Sequence, residues 1–560
     1  NIENYKNEVA FGAWLKKIVI NQSIDKLKKR KLELVAIDEE LVTIHEEEND
    51  WNVEDSITKE TIVDEINKLK GEQGKPDVKP NTKSGSKDIS TQGKERKKKK
   101  HHKQAKKKHI KIHQTIEVTL DKEELPQDAR FKYWEDVIAQ DIVFEVKNTC
   151  YKVAVYHSVS LGKTFRAKIP EGASYHSKNL ESFIITLNKV LDVTEAKILG
   201  LLKSMGIEIS KGSLSNILLK YTAIAKAEKQ DILKAGLASS YVQTDITGVR
   251  VCGKNKYSNI ITNPLFTSYT TTSGKSHLDV LAAFQGLDNK EKLNLRYDDL
   301  GIKNLKNAKI SKRDIQELNR VLKNNQVITL SDFIKYIKQK IPDLYHKKNI
   351  FIKVKSALAM AYYNYQDEIP KVDCLVSDHA PEYNHISIKH QALCWVHDAR
   401  YYKKLQPVLD IHRKKLADFT KQYWEFYNEL LDYKETPSPK LAAKIKDCFD
   451  TLFTTKTDYF QLDMLMAKTF KNKDKLLTVL VRPQIPLHNN LSELGARRKV
   501  RKRDISYHTM SAKGTTCLDA FMTITQTAIQ LNVDVFKYIK QMIYNDQNRR
   551  TLASLIMQKY

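Results

Sequence analysis

Pro486-Leu487-His488-Asn489-Asn490-Leu491-Ser492-Glu493 is followed within ten residues by Arg497-Arg498-Lys499 and Arg501-Lys502-Arg503. A short polar cluster ends in one carboxylate, and six positive charges stand directly behind it. A metal-binding acid held against a phosphodiester needs that arrangement. The segment reads as the start of a basic helix, and it directs attention upstream to the carboxylates that would complete the site.

Two upstream acids suit that role. Tyr241-Val242-Gln243-Thr244-Asp245-Ile246-Thr247 reads as a strand with one carboxylate inside it, and Val372-Asp373-Cys374-Leu375-Val376-Ser377-Asp378 as a short apolar strand ending on another. Two divalent metals about 3.5–4 Å apart can activate an attacking oxygen and stabilise a leaving one. Mg²⁺ prefers carboxylate and water oxygens, so two or three acids from separate elements are the minimum equipment. Asp245, Asp378 and Glu493 supply that set. Among 68 acidic residues each is weak evidence alone, and a strand aspartate is more often a solvated residue near a turn. Asp279, Asp373, Glu382 and Asp398 are rivals. Asp373 begins a strand and Asp398 a helix, so solvation or capping is expected for both.

Composition narrows the partner. The 560 residues are 41% hydrophobic, enough to bury more than one core, and the net charge is +27. Lys94, Arg96, Lys97, Lys98, Lys99, Lys100, Lys103, Lys106, Lys107, Lys108 and Lys111 face only Glu95 in their stretch. Nucleic acid is the leading partner; a membrane fits poorly because this run lacks an apolar face. No stretch approaches about 20 uninterrupted apolar residues, and neither a membrane span nor a secretory signal is expected. The six cysteines are scattered without CxxC spacing, which fits free thiols in a reducing cytoplasm.

The flanking words carry a resemblance. Gln243 to Val251, Pro264-Leu265-Phe266-Thr267-Ser268-Tyr269, Val376-Ser377-Asp378, Cys394-Trp395-Val396-His397-Asp398-Ala399-Arg400 and the segment 486–493 resemble successive blocks of the IS-sixty-six family of insertion-sequence transposases. Gly74 to Asn81 and Gly206 to Ser210 fit the same family. The resemblance covers about residues 58–545. It implies a DDE transposase with an α/β, RNase H-like mixed sheet, large helical insertions and Asp245, Asp378 and Glu493 as catalytic, metal-binding triad. It also implies Mg²⁺, with Mn²⁺ able to substitute, DNA ends and target as partners, accessory element-encoded proteins, an oligomer on DNA, and a cytoplasmic, nucleoid-associated location.

This chain departs from the family pattern in four places. Of a Cys-rich segment ahead of the catalytic domain only Cys150 remains, so no zinc is expected. Asp245 and Asp378 are 133 residues apart, which implies an inserted helical region at 288–368. Ile246 stands where an acid is frequent. Leu491 and Leu494 replace basic neighbours of the glutamate. The alternative is a catalytically decayed transposase, or a sigma-like DNA-binding protein acting without cleavage. That last option arises because Phe11 to Leu27 resembles the end of the promoter-melting region of an extracytoplasmic-function sigma factor.

The expected organisation is a helical sigma-like fragment at 1–57, a short helix and basic linker at 58–115, and a β-rich region at 116–178. A helical, helix-turn-helix-like DNA-binding segment follows at 179–236, with Thr194 and Ser213 as caps. The first part of the catalytic core occupies 237–400, a helical insertion 401–475, the glutamate helix 476–512 and a helical tail 513–560. In that tail Leu518, Phe521, Ile524 and Ile529 form the expected apolar face. Lys97, Lys98, Lys99, Lys100, Arg400, Arg497, Arg498, Lys499, Arg501 and Lys502 are the expected DNA contacts, although a charge run is usually a solvated face. His397, His488, Asn489 and Asn490 would orient Glu493 or touch DNA. Cys394 and His397 have half the spacing of a zinc site but no second pair, so a structural pair is expected there.

Overall fold

The computed structural model describes residues 111–119, 130–142, 145–168, 176–383 and 388–559. The sigma-like segment 1–57 and Lys97, Lys98, Lys99 and Lys100 lie outside them. The first regular element described is an antiparallel hairpin, β1 (Val155–Ser158) and β2 (Lys163–Arg166). Within the region 116–178 expected to be β-rich, the described residues outside this hairpin form no regular strand. Val155, Tyr156 and Phe165 of the hairpin are all exposed. Without a layer to pack against, apolar alternation cannot order a longer strand.

Four helices follow: α1 (Lys178–Ile185), α2 (Glu195–Ser204), α3 (Lys211–Lys220) and α4 (Thr222–Leu237). Gly206, at φ +77°, turns the chain between α2 and α3, a conformation open to a residue without Cβ. The cap of α3 is Ser210, whose Oγ accepts the Ser213 N–H at 3.0 Å; Ser213 itself is inside the helix.

The central sheet begins with β3 (Val242–Val251), β4 (Lys254–Asn263) and β5 (Phe266–Thr272), antiparallel in sequence. α5 (His277–Phe284) comes next, its start closed by Ser276 and Asp279 as a capping box. An insertion then folds around an apolar core that it shares with α5. It contains β6 (Asn294–Tyr297), α6 (Asp299–Asn307), α7 (Lys312–Val321), β7 (Gln326–Thr329), α8 (Leu330–Lys340), α9 (Pro342–His346) and α10 (Lys348–Tyr365). The chain returns to the sheet as β8 (Cys374–Ser377) and β9 (His390–Leu393), both parallel to β3 in the order β5-β4-β3-β8-β9. The result is an α/β fold with a mixed sheet and helical insertions.

α11 (Trp395–Lys403) leads into a second insertion, α12 (Asp410–Glu435), α13 (Pro439–Thr454), α14 (Phe460–Lys471) and α15 (Lys473–Leu476). Its aromatic residues close around the fully buried Trp395, whose indole N–H donates to the Leu476 carbonyl at 3.0 Å. The remaining helices are α16 (Asn490–Ser506), α17 (Ala512–Gln530), α18 (Val535–Tyr544) and α19 (Leu552–Met557).

α17 covers the outer edge of β5 by an unusual pairing. The backbone N–H groups of Thr267, Tyr269 and Thr271 donate to Thr527 Oγ1 (3.2 Å), Thr523 Oγ1 (3.0 Å) and Asp519 Oδ2 (2.7 Å). Two residues of strand span about 6.8 Å and four of helix about 6 Å, so side chains at every fourth helical position meet every second strand N–H. Edge groups that would otherwise be open to another strand are thereby satisfied. On its other side α17 buries Phe521, Ile524 and Ala528, whereas Ile529 is exposed. The expected apolar face is therefore rotated by one residue at its C-terminal end.

Candidate active site

The sheet brings the first two acids together. β3 and β8 pair in parallel with Val242 opposite Leu375 and Gln243 opposite Val376. Continuing that register two residues along each strand brings Asp245 level with Asp378. Asp245 Oδ1 accepts the Ile246 N–H at 2.8 Å, and Asp378 Oδ1 accepts the Ala380 N–H at 3.0 Å.

Glu493 arrives in the first turn of α16, which is tied to β3 beside Asp245. The Leu491 N–H donates to Gln243 Oε1 at 3.1 Å and Ser492 Oγ donates to the Thr244 carbonyl at 3.2 Å. The helix lies very close to the sheet because of Gly495: a Cβ there would stand 2.8 Å from Ile260 Cγ2. Tyr269 Oη fills the approach by donating to the Gly495 carbonyl at 3.2 Å.

Charge registers the convergence. Burial pushes the Asp245 carboxyl up to about 7; Asp378 and Glu493 push the same way, while the Ile246 N–H and Arg400 oppose them. Arg400 Nη2 lies 3.3 Å from both oxygens of Glu493, and Arg400 Nη1 lies 2.8 Å from His397 Nε2. His397 Nε2 is in turn 3.5 Å from Glu493 Oε1. Burial, then Arg400, lowers the proton affinity of His397, with Glu493 and Asp378 pulling the other way. His488 is lowered mainly by burial, and its Nδ1 accepts the Asn490 N–H at 3.4 Å. Asn489 is fully buried.

The donor set suits a hard divalent cation, since two carboxylates raise the proton affinity of a third and all offer oxygen. Among the described residues, however, no three His, Cys, Asp or Glu side chains are grouped closely enough to hold a metal ion. Glu493 is engaged by Arg400 and His397 and would have to turn from them to share a cation with the aspartates. Cys394 is buried, with its thiol pushed up to about 11 mainly by that burial.

Parts of the sequence reading need correction. Lys499 and Lys502, expected at DNA, are buried. Lys499 pairs with Asp519, and Lys502 Nζ reaches the Asn188 carbonyl at 2.9 Å and Asp192 at 3.0 Å. α16 packs one face on the sheet and on α17, and these two lysines fall on that face. Arg497 and Arg501 are exposed and Arg498 half-buried. Asp398 is neither solvated nor a cap: it accepts from Thr469 Oγ1 and Tyr423 Oη and lies 3.4 Å from His379 Nε2. Asp373 pairs with Arg482 at 2.8 Å. Sequence reasoning missed Tyr383, buried and electrostatically coupled to both aspartates, with its hydroxyl pushed far up by burial and then Asp378. Its only signal was a lone tyrosine five residues after Asp378.

Comparison with known proteins identifies a family. The model of the Transposase IS66 family matches residues 371–516, a span that includes Asp378, His397, Arg400 and Glu493 but not Asp245. The uncharacterized protein y4jO of Sinorhizobium fredii is 30% identical over 333 residues, covering 59% of this chain and 100% of the relative. The chain belongs to the IS66 family of transposases.

Proposed function

We propose that the protein is a DDE-type DNA transposase with an RNase H-like core, cutting DNA at the ends of an insertion element and joining them to a target. The observation that carries this reading is the placement of Asp245 and Asp378 level with one another on paired parallel strands, with Glu493 on a helix hydrogen-bonded to β3 beside Asp245. The strand order, with three antiparallel strands and two parallel ones beside the first, supports the RNase H-like reading.

Asp245, Asp378 and Glu493 would hold two divalent cations, Mg²⁺ or Mn²⁺, which supply Lewis acidity and neutralise charge at the phosphodiester. β3 and β8 hold the aspartates side by side, and the α16–β3 hydrogen bonds fix the glutamate helix. Arg400 and His397 position Glu493 and add positive potential where a phosphate would approach. Water would attack at the element ends, and the freed 3′-hydroxyl would attack target DNA in line. No covalent protein–DNA intermediate is required. Exposed Arg497 and Arg501, together with Lys97, Lys98, Lys99 and Lys100, would contact phosphates. The family resemblance adds an oligomer on DNA with accessory element-encoded proteins, in the cytoplasm at the nucleoid, to this proposal. The test is Mg²⁺-dependent nicking of duplexes carrying the element's terminal repeats. Salt-sensitive binding without nicking in Mg²⁺ or Mn²⁺ would instead favour a decayed, DNA-binding protein.

A further inference from the structure

The insertion between β5 and β8 is more than a helical spacer. α6 and α7 are joined by Ala308-Lys309-Ile310-Ser311, and both ends of this turn are locked. Lys309 takes φ +58°, with the Lys309 N–H on the Lys306 carbonyl (2.9 Å) and the Ile310 N–H on the Leu305 carbonyl (3.1 Å), which closes the end of α6 as a Schellman turn. Ser311 Oγ accepts the Asp314 N–H at 3.1 Å and donates to Asp314 Oδ2 at 2.7 Å, starting α7. Leu305, Ile310, Ile315 and Leu318 are buried between the two helices and their neighbours. The antiparallel β6–β7 ribbon flanks the pair, with Leu295 on the same core. A helix, a tight turn with a left-handed residue, a second helix and a flanking ribbon make up a helix-turn-helix arrangement whose core continues into α5 through Leu278, Leu281 and Ala282.

The outward face of α7 is chemically one-sided. At 100° per residue, Lys312, Arg313, Gln316, Asn319 and Arg320 fall within a single arc of about 120°, away from the buried Leu318, and Lys323 follows two residues beyond the end of the helix. All six are exposed, and the arc contains no acid. Glu317 lies at its border, half-buried and 3.4 Å from Arg313. Lys312, Arg320 and Lys323 pair with no carboxylate among the described residues. The Asn319 amide is fixed by the Tyr297 hydroxyl, which donates to its oxygen. Cations that contact phosphate, interleaved with amides that bond base edges, match a duplex major groove about 12 Å wide.

We propose that α7 is the recognition helix of a DNA-reading module seated between the first two catalytic aspartates, and that its occupant is the major groove of duplex DNA. This rests on the transposase reading only for the choice of DNA as partner. Binding therefore has to be measured in EDTA, where cleavage plays no part and its failure would not affect the result.

The experiment uses the full chain and a fluorescein-labelled pool of random-sequence duplexes, followed by anisotropy across a range of salt. Lys312→Ala/Arg320→Ala/Lys323→Ala should weaken binding at least tenfold. It should also flatten the slope of log affinity against log salt by about two to three. Lys340→Ala/Lys348→Ala/Lys353→Ala removes the same charge from other exposed surfaces of the insertion and should change affinity less than twofold. Gln316→Ala, used in selection from the same pool, should relax sequence preference while keeping the salt slope. Unchanged binding by the first variant, equal loss by the second, or an unaltered selected sequence with Gln316→Ala would each overturn the proposal. Circular dichroism on all variants separates these outcomes from misfolding, and a misfolded triple variant is replaced by the single Arg320→Ala, for which at least a twofold loss is required.

Discussion

Arg400 lies 3.3 Å from both carboxylate oxygens of Glu493, and its charge also acts directly on Asp245, whose proton affinity it lowers. Arg400→Ala should therefore move the acid limb of single-turnover cleavage to higher pH and slow the reaction by about tenfold to a hundredfold, as expected when a positioned group loses its support. Arg400→Lys should recover the charge effect but only part of the rate, because an ammonium cannot span both oxygens as a guanidinium does. An unchanged acid limb in the alanine variant would contradict this role.

Asp245 carries a second consequence, for stability. Its carboxyl is raised from 3.8 to about 7, so the folded state holds that proton more tightly than the unfolded chain. The resulting destabilisation is absent below pH 3.8, grows as pH rises through that value, and is complete above about 7. Asp245→Asn should accordingly stabilise the protein in EDTA at pH 8 by on the order of 2 kcal/mol, with the gain vanishing towards pH 4. Thermal melts across that range check it; a gain that increases on acidification would reverse the sign and refute the electrostatic account.

Gly495 limits how closely α16 approaches the sheet. With a Cβ 2.8 Å from Ile260 Cγ2, Gly495→Ala must displace the helix or the strand. A cost of about 1–3 kcal/mol is expected from overpacking, visible in urea denaturation, together with loss of cleavage because Glu493 rides on the same turn. Wild-type stability and activity would show that the close approach is unnecessary.

The basic run behind Glu493 should divide in two. Lys499 is buried on Asp519, which also accepts the Thr271 N–H, so Lys499→Met should cost about 3–5 kcal/mol through an uncompensated buried charge. Arg497→Ala/Arg501→Ala should leave stability within about 0.5 kcal/mol and weaken DNA binding instead. Denaturation and anisotropy on the same samples separate the two effects.

The elements that carry the three candidate carboxylates could be read from the chain because they are locally encoded. Alternation identifies the strand around Asp245, the apolar run before Asp378 identifies β8, and the polar segment before Glu493 identifies a helix start. What escaped depends on long-range partners. Lys499 and Lys502 resemble any other solvated charges until Asp519 and Asp192 are placed against them. Thr523 and Thr527 read as ordinary polar helix positions, yet they pair with backbone N–H groups more than 250 residues earlier. Asp398 looked like a helix-start residue because Thr469 and Tyr423, its actual partners, lie in an insertion whose packing no local pattern reveals.

The most direct measurement is Mg²⁺-dependent cleavage of end-containing duplex DNA by the wild type and by Asp245→Asn, Asp378→Asn and Glu493→Gln, with DNA affinity measured in parallel in EDTA. The account predicts that each variant loses cleavage by at least about a thousandfold, consistent with removal of a metal-binding group, while affinity stays within about threefold. Cleavage retained by all three variants would contradict the central claim that these carboxylates form one catalytic site.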